Sequence, residues 1–491
     1  MSLVVHNTLT GKKEEFQPIM PPKVGMYVCG ITAYDSCHLG HARAAVVFDM
    51  IAKYLKYLKY DLTVVKNYTD VDDKIIKRSN EEGISCDEIT KRYIGEYERD
   101  MGDLGVASPD ISPKATEHID CMIGTIEKLI ENGLAYETDS GVYFSVRKFK
   151  GYGKLSKRNI EDLESGARVD VDEKKKDPLD FALWKRAKPG EPTWPSPWGD
   201  GRPGWHIECS AMSSKYLAQP FDIHGGGRDL TFPHHENEIA QAEGAEGENF
   251  VKYWLHNGFI NINAEKMSKS LGNITKISDV LKAYDSEAVR LFLLSNHYRS
   301  PIDYTKEAID EAAVSLDRFY DTADRIHRIH PGKSTSDVPE EFGEAKDLKD
   351  FLTKFDSEFE LAMNDDFNTA RVVGLIFEAV RATNKYLDRN GDRATPFAGW
   401  VVLQFTHVQH IVGDVLGIFG SCAEEYKSRT TERASASKGI DPIEIEKLIA
   451  DRKTARHAKD FSKADAVRDE LAAKGIEIKD RPDGSTEWKI K

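Results

Sequence analysis

Two histidines and two glutamates crowd the stretch "TFPHHENEIAQ", residues 231–241, just after a glycine run with a third histidine, "FDIHGGGRD". On a helix, His234 and Glu238 stand four residues apart and project from one face, while His235 points elsewhere. The order is not His-Glu-x-x-His, so the metalloprotease helix is absent. Cys29 in "YVCG" and Cys209 in "HIECS" offer two soft ligands. With His234 and Glu238 they would make a set suited to zinc. The bland reading stands beside it: two buried cysteines far apart in sequence and a solvated helix charge. In "CHLGHARAAVVFD", His38, Gly40 and His41 sit where a loop enters a helix. A helix start offers free N–H groups and a positive dipole end to a polyphosphate. The same histidines could merely cap and pack. Lys266, Ser268, Lys269 and Ser270 in "EKMSKSLGN" form a Ser-rich loop whose lysines could close over a triphosphate, or equally a solvated turn.

The elements that would carry these groups read as α/β. "VGMYVCG" is a buried strand, "ARAAVVFDMIAKYLKYLKY" a helix, "DLTVVKNY" a second strand and "DVDDKIIKRSNEEG" a second helix, an order that predicts a parallel sheet. "LAYETDSGVYFSV" predicts a hairpin. Residues 166–204, rich in Pro, Gly and Trp, predict an ordered irregular loop packed on a site. "GWHIECSAMSSKYL" opens a helix, "FDIH" is a short strand, "PHHENEIAQAEG" a helix, and "KYWLHNGFINI" a strand. Helical spacing runs from about 285 to 420, then a polar linker over 421–439. The tail predicts two helices and two short strands around a Pro-Asp-Gly turn.

At 491 residues the chain is long enough for about three domains. Its net charge of −14 argues against a generally basic nucleic-acid binder but leaves room for local patches. The six cysteines lie scattered, without the density of a disulfide scaffold, so a reducing cytoplasm is the expectation. The N-terminus lacks a secretory h-region, and the most apolar window, "WVVLQFTHVQHIVGDVLGIFG", is broken by His, Gln and Asp. No membrane association is expected.

Taken together, the His-x-Gly-His junction and the Lys-Met-Ser-Lys-Ser loop look like the ATP-binding pair of class I aminoacyl-tRNA synthetases. "YVCGITAYDSCHLGHAR", "NYTDVDDKIIKR", "DPLDFALWKRAKPGEPTWPSPWGDGRPGWHIECSAMS", "HGGGRDLTFPHHENEIAQ" and the tail "RHAKDFSKADAVRDELAAKGIEIKD" closely resemble the signatures of cysteinyl-tRNA synthetases. The resemblance spans nearly the whole chain. Its one visible departure is Leu39 where isoleucine is common, a conservative swap. It implies a Rossmann-like catalytic domain over 1–304 with an inserted region at about 115–205, a tRNA-contacting helical bundle over 305–420, the linker, and an anticodon-binding domain over 440–491. It implies zinc, one per chain, on Cys29, Cys209, His234 and Glu238. ATP with Mg²⁺ would meet His38, Gly40, His41, Lys266, Ser268, Lys269 and Ser270. L-cysteine and tRNA(Cys) would be the other substrates, and a monomer the state.

Zinc prefers a thiolate to a hydroxyl, which supplies a way to tell cysteine from serine. By proximity to the motifs, Thr69, Trp205, His206, His224, Asp229 and His256 are candidates for the amino-acid pocket, with Asp229 pairing the substrate ammonium; the glycine run, Gly226 included, allows close approach to adenosine. Structural packing explains these residues equally well. Trp488 and the run Arg452, Lys453, Arg456, Lys459 are candidates for reading anticodon bases, against a solvated helix face. Two rivals stand: a mycothiol-pathway cysteine ligase, which needs no anticodon module, and a non-catalytic paralogue binding zinc or RNA.

Overall fold

The computed structural model describes residues 2–159, 175–262, 265–266, 275–329, 344–480 and 486–490. Its centre is a four-stranded parallel sheet in the order Val251–Asn257, Phe221–Gly227, Lys23–Thr32, Asp61–Thr69. The helix Leu39–Tyr57 follows the Lys23–Thr32 strand and is apolar almost all round, with Val46, Val47, Met50 and Ile51 fully buried. Such a helix must be covered on both sides: the sheet takes one face and the C-terminal helices the other. On the opposite face of the sheet, the helices Trp205–Leu217 and His234–Glu246 pack against each other and bring Cys209 and Ile239 into one apolar cluster with Tyr27 and Trp254.

The expected hairpin is present as Ala135–Thr138 and Gly141–Phe144. It extends into a four-stranded antiparallel sheet through Phe181–Arg186 and Gly201–Pro203. Both added strands fall in the stretch read as irregular. Pro and Gly hid them, whereas Trp184, fully buried against Trp198, holds them to the sheet.

Helices Lys306–His327, Glu344–Asn364, Thr369–Asn390 and Pro396–Leu416 form the expected bundle. The polar segment 421–439 is a fifth helix, Ala423–Lys438. Its charges have partners. Arg429 bonds Asp285 and Glu287, Tyr426 stacks on Tyr320 at 4.0 Å, and Lys427 pairs with Asp324. The bundle is joined to the parallel-sheet half through buried charge. Arg290 donates to Asp49 Oδ2 at 2.6 Å and to the carbonyls of Leu104, Gly105 and Leu416. Glu287 accepts from Tyr320 and Ser421.

The tail folds as Pro442–His457, Phe461–Ala473 and an antiparallel pair, Ile476–Asp480 with Thr486–Ile490, over a small core of Ile445, Ile449, Leu471 and Ile476. Asp480 accepts a bidentate pair from Arg452 at 2.7 and 2.8 Å and a further bond from Arg456. The Arg452 bonds, against the burial penalty, hold its carboxyl well below the usual carboxylate range. A depressed folded-state pKa adds stability above the unfolded value of about 4, lost as pH falls below it. Asp480→Asn is therefore expected to destabilise this unit by about 1 kcal/mol or less after solvent screening. The loss should be visible at pH 7 and shrink toward pH 2 in unfolding monitored by Trp488 fluorescence.

Candidate active site and metal cluster

A cleft of about 400 Å³ opens at the C-terminal ends of the parallel strands, where open α/β sheets place their ligands. Cys29 reaches it because the Lys23–Thr32 strand breaks register between Val28 and Ile31. Gly30 makes this break possible: a Cβ there would lie 1.5 Å from the Asn67 carbonyl oxygen. Its N–H donates instead to Asn67 Oδ1 at 2.9 Å. The helix Trp205–Leu217 delivers Cys209, and His234–Glu246 delivers His234 and Glu238 from one face.

These four groups converge, with ligand atoms within 4.8 Å of one another. Sγ of Cys29 is 3.7 Å from Sγ of Cys209 and 3.5 Å from Oε1 of Glu238, and His234 Nε2 is 3.0 Å from the same oxygen. A tetrahedron with zinc–sulfur bonds of about 2.3 Å has sulfurs about 3.8 Å apart, and its sulfur–oxygen edge is about 3.5 Å. The donor set and its spacing fit that ion. A second set, Cys29, His224, His235 and Glu238, shares two of the groups. It holds one thiol rather than two, and His224 and His235 do not reach the cleft wall, whereas Cys29, Cys209 and His234 do. The first set is the one that opens on the cleft.

His235 departs from the expectation that it points away. Its Nε2 lies 3.3 Å from Cys29 Sγ, and its Nδ1 lies 2.8 Å from His256 Nε2, whose own Nδ1 meets Thr8 Oγ1 at 2.8 Å. His224 bonds Glu238 Oε2 at 2.7 Å, and His206 meets His234 at 2.9 Å between their Nδ1 atoms. Thus His206, His224 and His256 form a layer behind the cluster and do not line the cleft. His206 and His224 orient His234 and Glu238, and His256 orients His235, in the manner of outer partners around a metal site. Burial opposes the charge on Glu238, but His224 and His234 outweigh it and hold the carboxyl well below its usual range. The bond from Cys29 draws the Cys209 thiol down to about 6 against its burial, while burial raises that of Cys29. His234, despite burial, is raised to about 10 by Glu238. The cluster thus pairs a ready thiolate and carboxylate with a cation they both attract.

His38, the N-cap of the Leu39–Tyr57 helix, and His41 in its first turn lie on the same cleft, stacked at 3.8 Å. Nδ1 of His38 accepts from Gly40 N–H at 3.1 Å, and Nδ1 of His41 accepts from His38 N–H at 3.2 Å. With Nδ1 an acceptor in both rings, the proton sits on Nε2, so each ring is a donor there. The capping reading and the chemical one coexist: the cap sets the tautomer.

Thr69, Trp205, Asp229 and Gly40 also line the cleft, Trp205 stacked on His234 at 4.3 Å. Gly227 lines it where Gly226 does not; a Cβ on Gly226 would come 2.8 Å from the His235 ring, so its bareness serves packing. Lys266 lies on a short strand, Glu265–Lys266, paired with Asn261–Ile262. Ser268, Lys269 and Ser270 lie outside the described residues. Just beyond them, the Thr275 carbonyl accepts from Leu39 N–H at 3.1 Å and Ile277 N–H donates to Cys37, beside His38. Sequence reasoning missed Lys66, Asn67 and Asn257, which also line the cleft. Strand alternation gave one signal: Asn67 must share a face with Thr69.

Residues 15–314 match the family described as tRNA synthetases class I (C) catalytic domain, residues 358–420 a DALR domain, and residues 442–488 the cysteinyl-tRNA ligase anticodon binding domain. The chain is 54% identical over 491 residues to the cysteine–tRNA ligase of Geobacter metallireducens, covering 100% of both chains. It is 53% identical to that of Thermodesulfovibrio yellowstonii, covering 99% of both. The fold is also similar to a Mycobacterium tuberculosis methionyl-tRNA synthetase solved with methionyl-adenylate: TM-score 0.64, 15% identity, 80% of this chain and 92% of that one. Among the described residues no helix is long and apolar enough to cross a membrane. With a parallel-sheet cleft, a cysteine-rich ligand cluster and full-length identity above half, the chain belongs to the cysteinyl-tRNA ligase family of class I aminoacyl-tRNA synthetases.

Proposed function

We propose that this cysteine–tRNA ligase holds a zinc ion on Cys29, Cys209, His234 and Glu238, and that the site selects the thiol of cysteine. The observation that carries the reading is the mixed sulfur, nitrogen and oxygen set, spaced as a tetrahedron and opening on the same cleft as His38 and His41. When bound, the ion favours a soft thiolate over the hydroxyl of serine and lowers the thiol pKa. Trp205, stacked on His234, walls the side-chain pocket, and Thr69 and Asp229 flank the substrate, Asp229 facing its ammonium. His38 and His41 donate from Nε2 to phosphate oxygens as the cysteine carboxylate attacks the α-phosphorus of ATP and the bond to pyrophosphate breaks. Donors aimed at charge that builds in the transition state are the largest catalytic lever available. Lys266 and Lys269 hold the departing pyrophosphate, whose charge Mg²⁺ carried with ATP offsets. The cysteinyl group then passes to the terminal adenosine of tRNA(Cys).

In this reading residues 1–304 perform the chemistry, 305–420 contact the tRNA body, and 440–491 read the anticodon. Arg452 and Arg456 are committed to Asp480, and Trp488 donates to Glu446 Oε1 at 2.6 Å, so Lys453 and Lys459 are the better base or phosphate contacts. The C-terminal match and full-length relatives favour the tRNA ligase over the shorter cysteine ligase.

The test is ATP–pyrophosphate exchange with cysteine beside serine, with zinc quantified in the same preparation. Exchange with cysteine alone, and about one zinc per chain as one four-ligand site requires, is the expected result. Exchange with cysteine, Mg²⁺ and ATP by a preparation shown free of zinc and other transition metals would overturn the thiol-sensing role.

A further inference from the structure

The strand Asp61–Thr69 carries a lysine that the reaction as described leaves unused. Lys66 is half-buried and lines the cleft. Alternation along the strand turns it away from Asn67 and the metal cluster, toward the helices Leu39–Tyr57 and Cys86–Asp103. There its Nζ donates to the Tyr97 hydroxyl and lies 5.1 Å from the centre of that ring. A neutral hydroxyl satisfies one of three ammonium donors and none of the charge.

Its other neighbours are already committed. Asp49 is paired with Lys53 at 2.9 Å and with Arg290 at 2.6 Å. The Cys37 thiol is pushed up to about 12 by burial, so it is neutral. Burial correspondingly draws Lys66 down to about 8. Among the described residues no carboxylate is paired with Lys66, and a cation in a cleft wall without a counter-anion is costly unless a ligand supplies one. Two features of the cleft wall suit a phosphate, against the carboxylate of Asp35 on the same wall. The N-terminal end of the Leu39–Tyr57 helix adds its positive dipole. Exposed Lys74, its Nζ 5.4 Å from the centre of the Tyr34 ring, adds a second cation on the cleft wall.

We propose that Lys66 is a phosphate-binding residue of this reaction, its ammonium engaging a phosphate oxyanion of a substrate held in the cleft. The proposal rests on the reading of the cleft given above. Two substrates carry that chemistry: the polyphosphate of ATP and the phosphates of the single-stranded acceptor end of tRNA.

Lys66→Met and Lys66→Arg in the full-length, zinc-containing enzyme separate them. TRNA-free exchange reads the ATP source; single-turnover transfer from preformed adenylate reads the tRNA source. In Lys66→Met the expected result is a KM raised ~10-fold or more, as loss of a charge-assisted hydrogen bond gives. It should appear for ATP in the first arm or for tRNA(Cys) in the second. Lys66→Arg should restore most of the loss, and zinc content, cysteine affinity and thermal midpoint should stay at wild-type values. Wild-type behaviour of Lys66→Met in both arms overturns the proposal. So does a loss that Arg fails to restore, or one that tracks the thermal midpoint, since either marks a structural lysine. Absence of exchange in the wild-type enzyme is a different failure: it removes the reading of the cleft, and this proposal with it.

Discussion

Cys209→Ser will fold, bind ATP and fail to retain zinc. Apparent zinc affinities of about 10–16 kcal/mol shared over four ligands give ~3 kcal/mol per ligand, hence a ~100-fold or greater loss of metal affinity. A serine hydroxyl stays protonated at neutral pH and does not replace a thiol that the cluster already draws down to about 6 through the bond from Cys29. Cysteine-dependent exchange should fall at least as far, and the discrimination against serine should shrink with it. Metal analysis after dialysis against a chelator, run beside Cys86→Ser, checks this. Cys86 begins a helix away from the cluster and its variant should keep both zinc and activity. Equal zinc retention in the two variants would rule out the ligand set.

His41→Asn should lower kcat for adenylate formation by about 10²–10³, the usual cost of one preorganised donor at a site of developing charge. Zinc content and cysteine affinity should not change, because His41 is not one of the four residues of the cluster. Asparagine offers an oxygen in place of Nδ1, so the N-terminal cap that now accepts from His38 N–H is partly kept. A single-turnover measurement at saturating ATP isolates the chemical step. A rise in KM for ATP with kcat unchanged would mean that His41 binds ground state and transition state equally, and would remove it from the catalytic group.

The sequence made the four ligands legible as residue types, but not as neighbours. Cys29 and Cys209 meet because a parallel sheet needs long crossovers, which set the Phe221–Gly227 strand beside Lys23–Thr32 and fold the helices between them over the strand ends. His235 was misread for a related reason. A step of one residue turns a helix side chain by 100°, which points outward only if outside is solvent. Here every residue from His234 to Ala242 is buried, so the second face meets the strand that carries His256. The helix Ala423–Lys438 was hidden by composition: its polar residues are polar because Asp285 and Glu287 wait beneath them. Lys66 gave no motif at all, and only the packed neighbourhood shows that, among the described residues, its charge lacks a mate.

The clasp of Arg290 on Asp49 and on the carbonyls of Leu416 and Leu104 bears on how this family can be shortened. A fragment ending near residue 304 would keep every group assigned to the chemistry yet bare a guanidinium now capped by a carbonyl 126 residues downstream. A hydrogen bond to a charged group is worth about 1.5–3 kcal/mol, a sizeable share of a domain's stability. The bundle is therefore scaffolding for the catalytic domain.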